Sequence, residues 1–250
     1  EYKETWNNFI TSAKNATFLF LRDFMEYHSD RFEDYSLLCY KEDKLIAVIP
    51  ANIEDATLYS HKGLTYGGIV VQRTLKFRDY LESVKAVLEY LNAEGISKFI
   101  LKQIPGIYTT DPSEELEYLS FLLKANCFRA DISSTVKLSE NLVLAKDRLA
   151  GYKRAIKKGL IVKEEEDLTG FWNEILIPNL KNKHEVNPVH SLEEITLLKQ
   201  RFPKNIRQFN VYDENKLVAG TTIFETKKVA HSQYISANED KNKIGSLDYL

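Results

Sequence analysis

The strongest constraint on this chain is that it repeats itself. Tyr40-Lys41-Glu42-Asp43-Lys44-Leu45-Ile46-Ala47 returns 172 residues later as Tyr212-Asp213-Glu214-Asn215-Lys216-Leu217-Val218-Ala219. Each copy sets a polar centre between alternating apolar runs, the pattern of a hairpin whose turn has nothing to bury. At the same offset Thr57-Leu58-Tyr59-Ser60 falls on Val229-Ala230-His231-Ser232, so a third strand is expected at the same distance after each hairpin. Chance yields one similar hairpin far more readily than a second strand in register, and the repeat predicts two copies of one domain.

A length of 250 residues accommodates two domains of roughly 125 each. A hydrophobic content of 44%, with 14 Tyr and 13 Phe, excludes a disordered chain. No apolar run approaches the roughly 20 residues of a membrane span, so none is expected. Cys39 and Cys127 belong to no motif, and the polar, amphipathic start from Glu1 to Phe9 has no basic head or small-residue cleavage site. Both features point to a reducing cytoplasm. A net charge of −2 gives no overall pull toward nucleic acid; no DNA partner is expected, and anion binding must come from a local patch.

Along the chain, Trp6, Phe9, Ile10 and Ala13 share a helix face, and a short helix follows over Asp23 to His28; together they read as a lid or entry element. Strands are expected at Ser36 to Tyr40, Leu45 to Asn52 and Thr57 to Ser60, the second carrying Pro50 near its end. After the glycine-rich loop from His61 to Gly68, Phe77, Tyr80, Leu81, Val84, Val87, Leu88 and Leu91 mark a helix ended by Gly95. A strand at Phe99 to Leu101, a helix over Leu116 to Leu123 and a closing strand from Cys127 to Leu138 complete a β-β-β-α-β-α-β order. From Asn141 a basic helix to Lys158 reads as the link to the second copy. There, helices over Phe171 to Leu180 and Leu192 to Arg201 are expected, the latter opened by a Ser191–Glu194 capping box. Strands follow at Arg207 to Tyr212, Leu217 to Phe224 and Val229 to Ser236. The expected domains are 1–140 and 141–250, with 141–158 a connecting helix. Position 250 corresponds to 78 in the first copy, so the repeat predicts a second copy truncated at its C-terminus by about 60 residues.

Three antiparallel strands, a loop, a helix on the sheet and another strand resemble the GNAT acyltransferase order, and two in tandem resemble its FemABX-like branch. The motifs that carry this resemblance are Phe18-Leu19-Phe20 before Phe24-Met25-Glu26-Tyr27-His28, Gly63-Leu64-Thr65-Tyr66-Gly67-Gly68, Lys183-His184 before Pro188-Val189-His190-Ser191, Phe202-Pro203, Val218-Ala219-Gly220, Phe224-Glu225 and Ile244-Gly245-Ser246-Leu247-Asp248. The resemblance covers most of the chain. It implies an α+β fold of two tandem GNAT-like domains with mixed sheets flanked by helices. It also implies N-acyl transfer, as in bacterial FemAB-like proteins associated with envelope polysaccharide synthesis.

In that fold an acyl-CoA, acetyl-CoA for example, lies between splayed strands as co-substrate, its pyrophosphate on backbone N–H groups at a helix start. By resemblance those groups come from Asn242, Lys243, Ile244, Gly245 and Ser246. Of the pattern Gln/Arg-x-x-Gly-x-Gly/Ala, Gly245 and Ser246 remain, with Lys243 supplying charge; a turn and helix cap account for the same residues without a ligand. The attacking amine must shed a proton, which needs a base within reach. His231, Gln233 and Tyr234 precede the loop, and strict alternation sets His231 and Gln233 on one face and Tyr234 on the other. His184 and His190, with Lys183, read as loop contacts to the acceptor; with Glu185 they lack a further spaced ligand, and no metal is expected. Lys153, Arg154 and Lys157 read either as a solvated face or as a patch for phosphates of CoA, a nucleotide sugar or a tRNA acceptor end. Lys62 and Tyr66 are the usable polar groups of the glycine-rich loop.

The leading expectation is a transferase moving an acyl group from a CoA thioester to an amine on an amino sugar or other cell-envelope precursor. One rival takes its donor from aminoacyl-tRNA and extends a peptidoglycan peptide, as FemABX relatives do. Another is a degenerate pair of domains kept as a binding module.

Overall fold

The computed structural model describes residues 2–140 and 142–250. Glu1 and Asn141, where the two expected domains begin, lie outside the described residues. The chain has a mixed α+β architecture and divides into two compact units, one of residues 1–127 with 226–229, the other of 128–225 with 230–250. No described helix is long and apolar enough to cross a membrane.

The first unit opens with α1 (Lys3–Ser12) and α2 (Arg22–Met25). The periodicity of α1 buries Trp6, Phe9 and Ile10, and the Trp6 indole N–H donates to the Phe20 carbonyl at 2.7 Å. These helices are therefore part of the core and not a lid. Strands β1 (Glu33–Asp34), β2 (Leu37–Lys41), β3 (Lys44–Ile49), β4 (Asn52–Glu54), β5 (Thr57–Tyr59) and β6 (Val70–Val71) follow. Then come α3 (Phe77–Ala93), β7 (Lys98–Ile100) and α4 (Glu115–Leu122). They form two sheets, ordered β1-β4-β5-β7 and β2-β3-β6, with β5 and β7 parallel. Tyr80, Val84, Val87 and Leu91 of α3 bury against Ala47, Ile49, Leu58 and Val71, as the helical stripe predicts.

Two expectations need correction. The single strand over Leu45 to Asn52 is two strands in different sheets, parted at Pro50-Ala51. Pro50 has no N–H for a ladder, and the Ala51 backbone is instead satisfied by the Tyr35 N–H and the Ser36 hydroxyl, at 3.0 and 3.2 Å. The closing strand over Cys127 to Leu138 is absent: residues 125–137 hold no regular structure, and all are exposed. Phe128, Ile132, Val136 and Leu138 do alternate, but alternation chooses a face and cannot supply a partner edge.

The second unit contains α5 (Lys146–Lys158), β8 (Ile161–Glu165), a π-helical turn (Phe171–Leu176), α6 (Ile177–His184) and α7 (Leu192–Arg201). After them come β9 (Ile206–Asp213), β10 (Lys216–Glu225), β11 (Ala230–Ala237), α8 (Lys241–Ile244) and α9 (Ser246–Tyr249). The sheet is antiparallel in the order β11-β10-β9-β8. Helices α5, α8 and α9 close one face over Val211, Val218 and Ala219. The π-helical turn closes the other, where Phe171 lies so near Gly220 that a Cβ there would meet its ring at 2.5 Å. The capping box before α7 is formed: Glu194 N–H donates to Ser191 Oγ at 3.1 Å, and Ser191 N–H to the Glu194 carboxylate at 2.8 Å.

The repeated segments keep one register. Lys41 pairs with Lys44 across a turn with Glu42 at φ +53°, and Asp213 with Lys216 across a turn with Glu214 at φ +55°. Ile46 and Val218, 172 residues apart, are each skipped by the partner strand as a bulge. Further on, Ile53 faces Leu58 as Glu225 faces Ala230, and Asn52 faces Tyr59 as Phe224 faces His231.

Candidate active site

Between β10 and β11 the register shifts: Thr222 faces Tyr234 and Ile223 faces Ser232, which leaves Gln233 as the extra residue. An unpaired residue resets the alternation beyond it. His231, opposite Phe224, and Tyr234, opposite Thr222, therefore share one face, contrary to strict alternation. The bulge is tied down by Thr221, whose hydroxyl donates to the Tyr234 carbonyl at 2.8 Å.

On that face Tyr234 meets two elements of the second unit. The Trp172 ring of the π-helical turn stands edge-on to it, centroids 5.0 Å apart. His190, buried just before the cap of α7, brings Nδ1 to 2.6 Å from the Tyr234 hydroxyl. The His190 backbone N–H donates to the same oxygen at 3.2 Å. That oxygen accepts from the backbone N–H, and with His190 in its Nε2–H tautomer the phenol donates its own proton to Nδ1. Burial raises the Tyr234 pKa, partly offset by hydrogen bonds from the His190 backbone and the Gln233 side chain, so the phenol keeps its proton at neutral pH. Burial lowers the pKa of His231 and favours its neutral form. Two buried polar atoms beside Tyr234 have no hydrogen-bond partner: Trp172 Nε1 and Gln233 Oε1.

Beneath Tyr234 runs a chain of hydrogen bonds that the sequence reading missed. Thr222 donates to Gln208 at 2.7 Å, Gln208 to Asn210 at 2.7 Å, Asn210 to the Glu165 carboxylate, and Tyr212 to the same carboxylate at 2.9 Å. Gln208, Asn210 and Thr222 are almost wholly buried, and each has found its partner. The legible signal was the pair of amides two apart, and so on one face, in an expected strand.

The other expected residues are dispersed. Lys183 and His184 end α6, exposed and outside the Tyr234 cluster. Lys153 and Lys157 are exposed on α5, while the Arg154 guanidinium donates to the Asn242 carbonyl at 3.0 Å. In the expected phosphate loop the N–H groups of Lys243 and Ile244 donate to the Asp240 carbonyl, and that of Gly245 to Lys241. Ile244 packs in the core, Ser246 is fully buried, and Gly245 presses on the backbone of Gly151. In the first unit Lys62 is exposed, paired with Glu54 and 4.6 Å over the Tyr59 ring. Tyr66 is a core residue: its hydroxyl bonds Thr17 at 2.9 Å, and burial raises its pKa. Among the described residues no cluster of three His, Cys, Asp or Glu side chains stands in metal-binding reach.

His61 stands 172 residues before Gln233, at φ +67°, and stacks on His28 with centroids 5.0 Å apart. Burial, with His28, Arg22 and Lys102 nearby and only Asp34 opposing, pushes its pKa down to about 3. The unfolded imidazole takes up a proton near pH 6.5, so this contribution to stability is intact above that pH and lost as pH falls toward 3. The total is on the order of 5 kcal/mol. Denaturant titrations followed by Trp6 fluorescence in a Trp172→Phe background at pH 7.5 and pH 4.5 should show the first unit weakened in acid, and His61→Asn should flatten the difference. An unchanged slope in that variant would rule the histidine out as its source.

No protein-family model and no curated protein sequence matches the chain. Solved structures do. A crystal structure of FemX aligns over 99% of this chain and 82% of its own, with a TM-score of 0.62 at 10% identity. The C-terminal domain (DUF2156) of a putative lysylphosphatidylglycerol synthetase from Agrobacterium fabrum aligns over 99% and 71%, with a TM-score of 0.57 at 14% identity. Likeness of this kind rests on backbone geometry alone, and what it establishes is that the chain shares the fold of FemX.

Proposed function

We propose that this protein is an aminoacyl transferase, moving an aminoacyl group from an ester donor such as aminoacyl-tRNA to an amine on a cell-envelope precursor in the cytoplasm. The observation that carries the reading is the Tyr234–His190 pair at the β11 bulge. A phenol that accepts on one side and donates to an imidazole on the other is a proton relay. As the amine nitrogen bonds the acyl carbon, its proton passes to the Tyr234 oxygen while the Tyr234 proton moves to His190 Nδ1. The ester C–O bond then breaks, and the proton returns along the same path to the leaving oxygen.

The ester donor is favoured over acyl-CoA on two grounds. One similar fold carries the name of a lysylphosphatidylglycerol synthetase, an aminoacyl product. The N–H groups of Lys243, Ile244 and Gly245 are already bonded within their turn, so the expected pyrophosphate cradle has few donors left. Lys153, Lys157 and Arg154 are then assigned to phosphates of the donor or acceptor.

We further read the two units as copies of one GNAT-like domain, divided near residue 140. The common register of the hairpins, bulge included, supports this. In the first copy the position of Gln233 is held by His61, and His28 and Phe32 crowd it: a Cβ on Gly63 would meet both rings at under 3 Å. That plug favours the second copy as the seat of chemistry.

The test offers radiolabelled aminoacyl-tRNA and acetyl-CoA as donors to peptidoglycan-precursor and amino-sugar amines. Transfer from the tRNA ester, abolished by prior RNase digestion, is expected. Transfer from acetyl-CoA alone returns the function to N-acyl transfer, and transfer from neither leaves a binding module.

A further inference from the structure

We propose that Trp172 and Gln233 form a subsite for an aminoacyl group: the indole N–H donates to its carbonyl oxygen, and Gln233 Oε1 accepts from its α-ammonium. This inference rests on the transferase reading and sharpens it to a choice of donor. Trp172 is completely buried, and buried indole N–H groups almost always find a partner. Trp172 Nε1 has none, and neither has Gln233 Oε1. The two flank one side chain. Trp172 packs edge-on against Tyr234, and Gln233 precedes it at the bulge and hydrogen-bonds its hydroxyl.

The Tyr234 carbonyl, Thr222, Gln208 and Asn210 have their partners within the sheet, whereas Trp172 Nε1 and Gln233 Oε1 are a buried donor and a buried acceptor left unused beside Tyr234. An acetyl group supplies a carbonyl to match the donor and leaves the acceptor unanswered. An aminoacyl group, with carbonyl and ammonium two bonds apart, answers both. Both residues also sit on local departures from regular structure, a π-helical turn and a β-bulge, devices that re-aim single side chains.

The experiment compares aminoacyl-tRNA with N-acetylaminoacyl-tRNA, in which the ammonium is replaced by an amide. The wild-type protein should favour the free amine, and Gln233→Leu should erase about 10-fold or more of that preference, the range of one hydrogen bond to a charged group. Gln233→Glu, which keeps an acceptor, should retain it. Trp172→Phe should slow both donors alike. Since core variants can fail to fold, a second measurement uses Trp6→Phe, in which Trp172 is the sole indole. Its emission should shift on binding 3′-aminoacylamino-adenosine and far less on binding the 3′-acetylamino analogue. Equal responses to both analogues, or a Gln233→Leu protein with wild-type preference, overturn the subsite while leaving the transferase reading intact; both atoms then bond a structural water. A wild-type protein that transfers no aminoacyl group overturns both.

Discussion

Tyr234→Phe is expected to lower kcat by roughly 10²- to 10⁴-fold while KM for the acceptor changes little, the range found for a positioned proton-transfer group. The substitution removes one oxygen and keeps the ring, so the edge-on packing against Trp172 survives. It does leave the His190 N–H and Nδ1 without their common partner, at a cost of about 1–3 kcal/mol of stability. A melt therefore belongs beside the kinetics: activity lost from a protein still folded at the assay temperature is the expected pattern. His190→Ala should produce a comparable loss, and the double variant should be scarcely worse than either alone, since the two act as one relay. If Tyr234→Phe turned over at the wild-type rate, the pair would be a packing feature and the catalytic assignment would fall.

The repeat made both hairpins legible because a turn is written locally: two polar residues between alternating strands fix register within a few residues. The bulge at Gln233 was not legible in that way. A bulge is a two-against-one relation between strands, and His231-Ser232-Gln233-Tyr234 looks like unbroken alternation until Ile223 and Thr222 are set opposite it. The same limit hid the partner of His190. In sequence its neighbour is His184, but the fold leaves His184 exposed on α6 and carries His190 to a tyrosine 44 residues away. Tyr66 shows the opposite error. Glycines around it suggested an open loop, yet its ring is held between Phe20 and Tyr108 in the core of the first unit. Pro50 did mark a real discontinuity, which only the second sheet turned from a strand end into a crossing.

The glycines of the second unit set the largest expected effect on stability. Gly245 lies at φ +76°, between α8 and α9, and a Cβ on it would come within 2.0 Å of the Gly151 carbonyl oxygen in α5. That obstacle is helix backbone, which cannot swing aside as a side chain can. Its counterpart Gly151 faces the Asp248 carboxylate, which is held by Arg148 at 2.7 Å, so the contact is fixed from both sides. Gly245→Ala must force α5 from α8 and α9 and uncover Ala155, Ile244 and Val211, at an expected cost of about 4 kcal/mol or more. Gly159 is the control within the same unit. It also has a left-handed φ, +79°, but nothing lies within 4 Å of its would-be Cβ, so Gly159→Ala should cost only about 1 kcal/mol of backbone strain. Urea titrations in the Trp6→Phe background, where Trp172 reports on this unit alone, measure both. A wide gap between the two alanines means the close approach of α5 is what requires glycine at 245; equal costs would mean that backbone conformation suffices, and that the helix contact yields without loss.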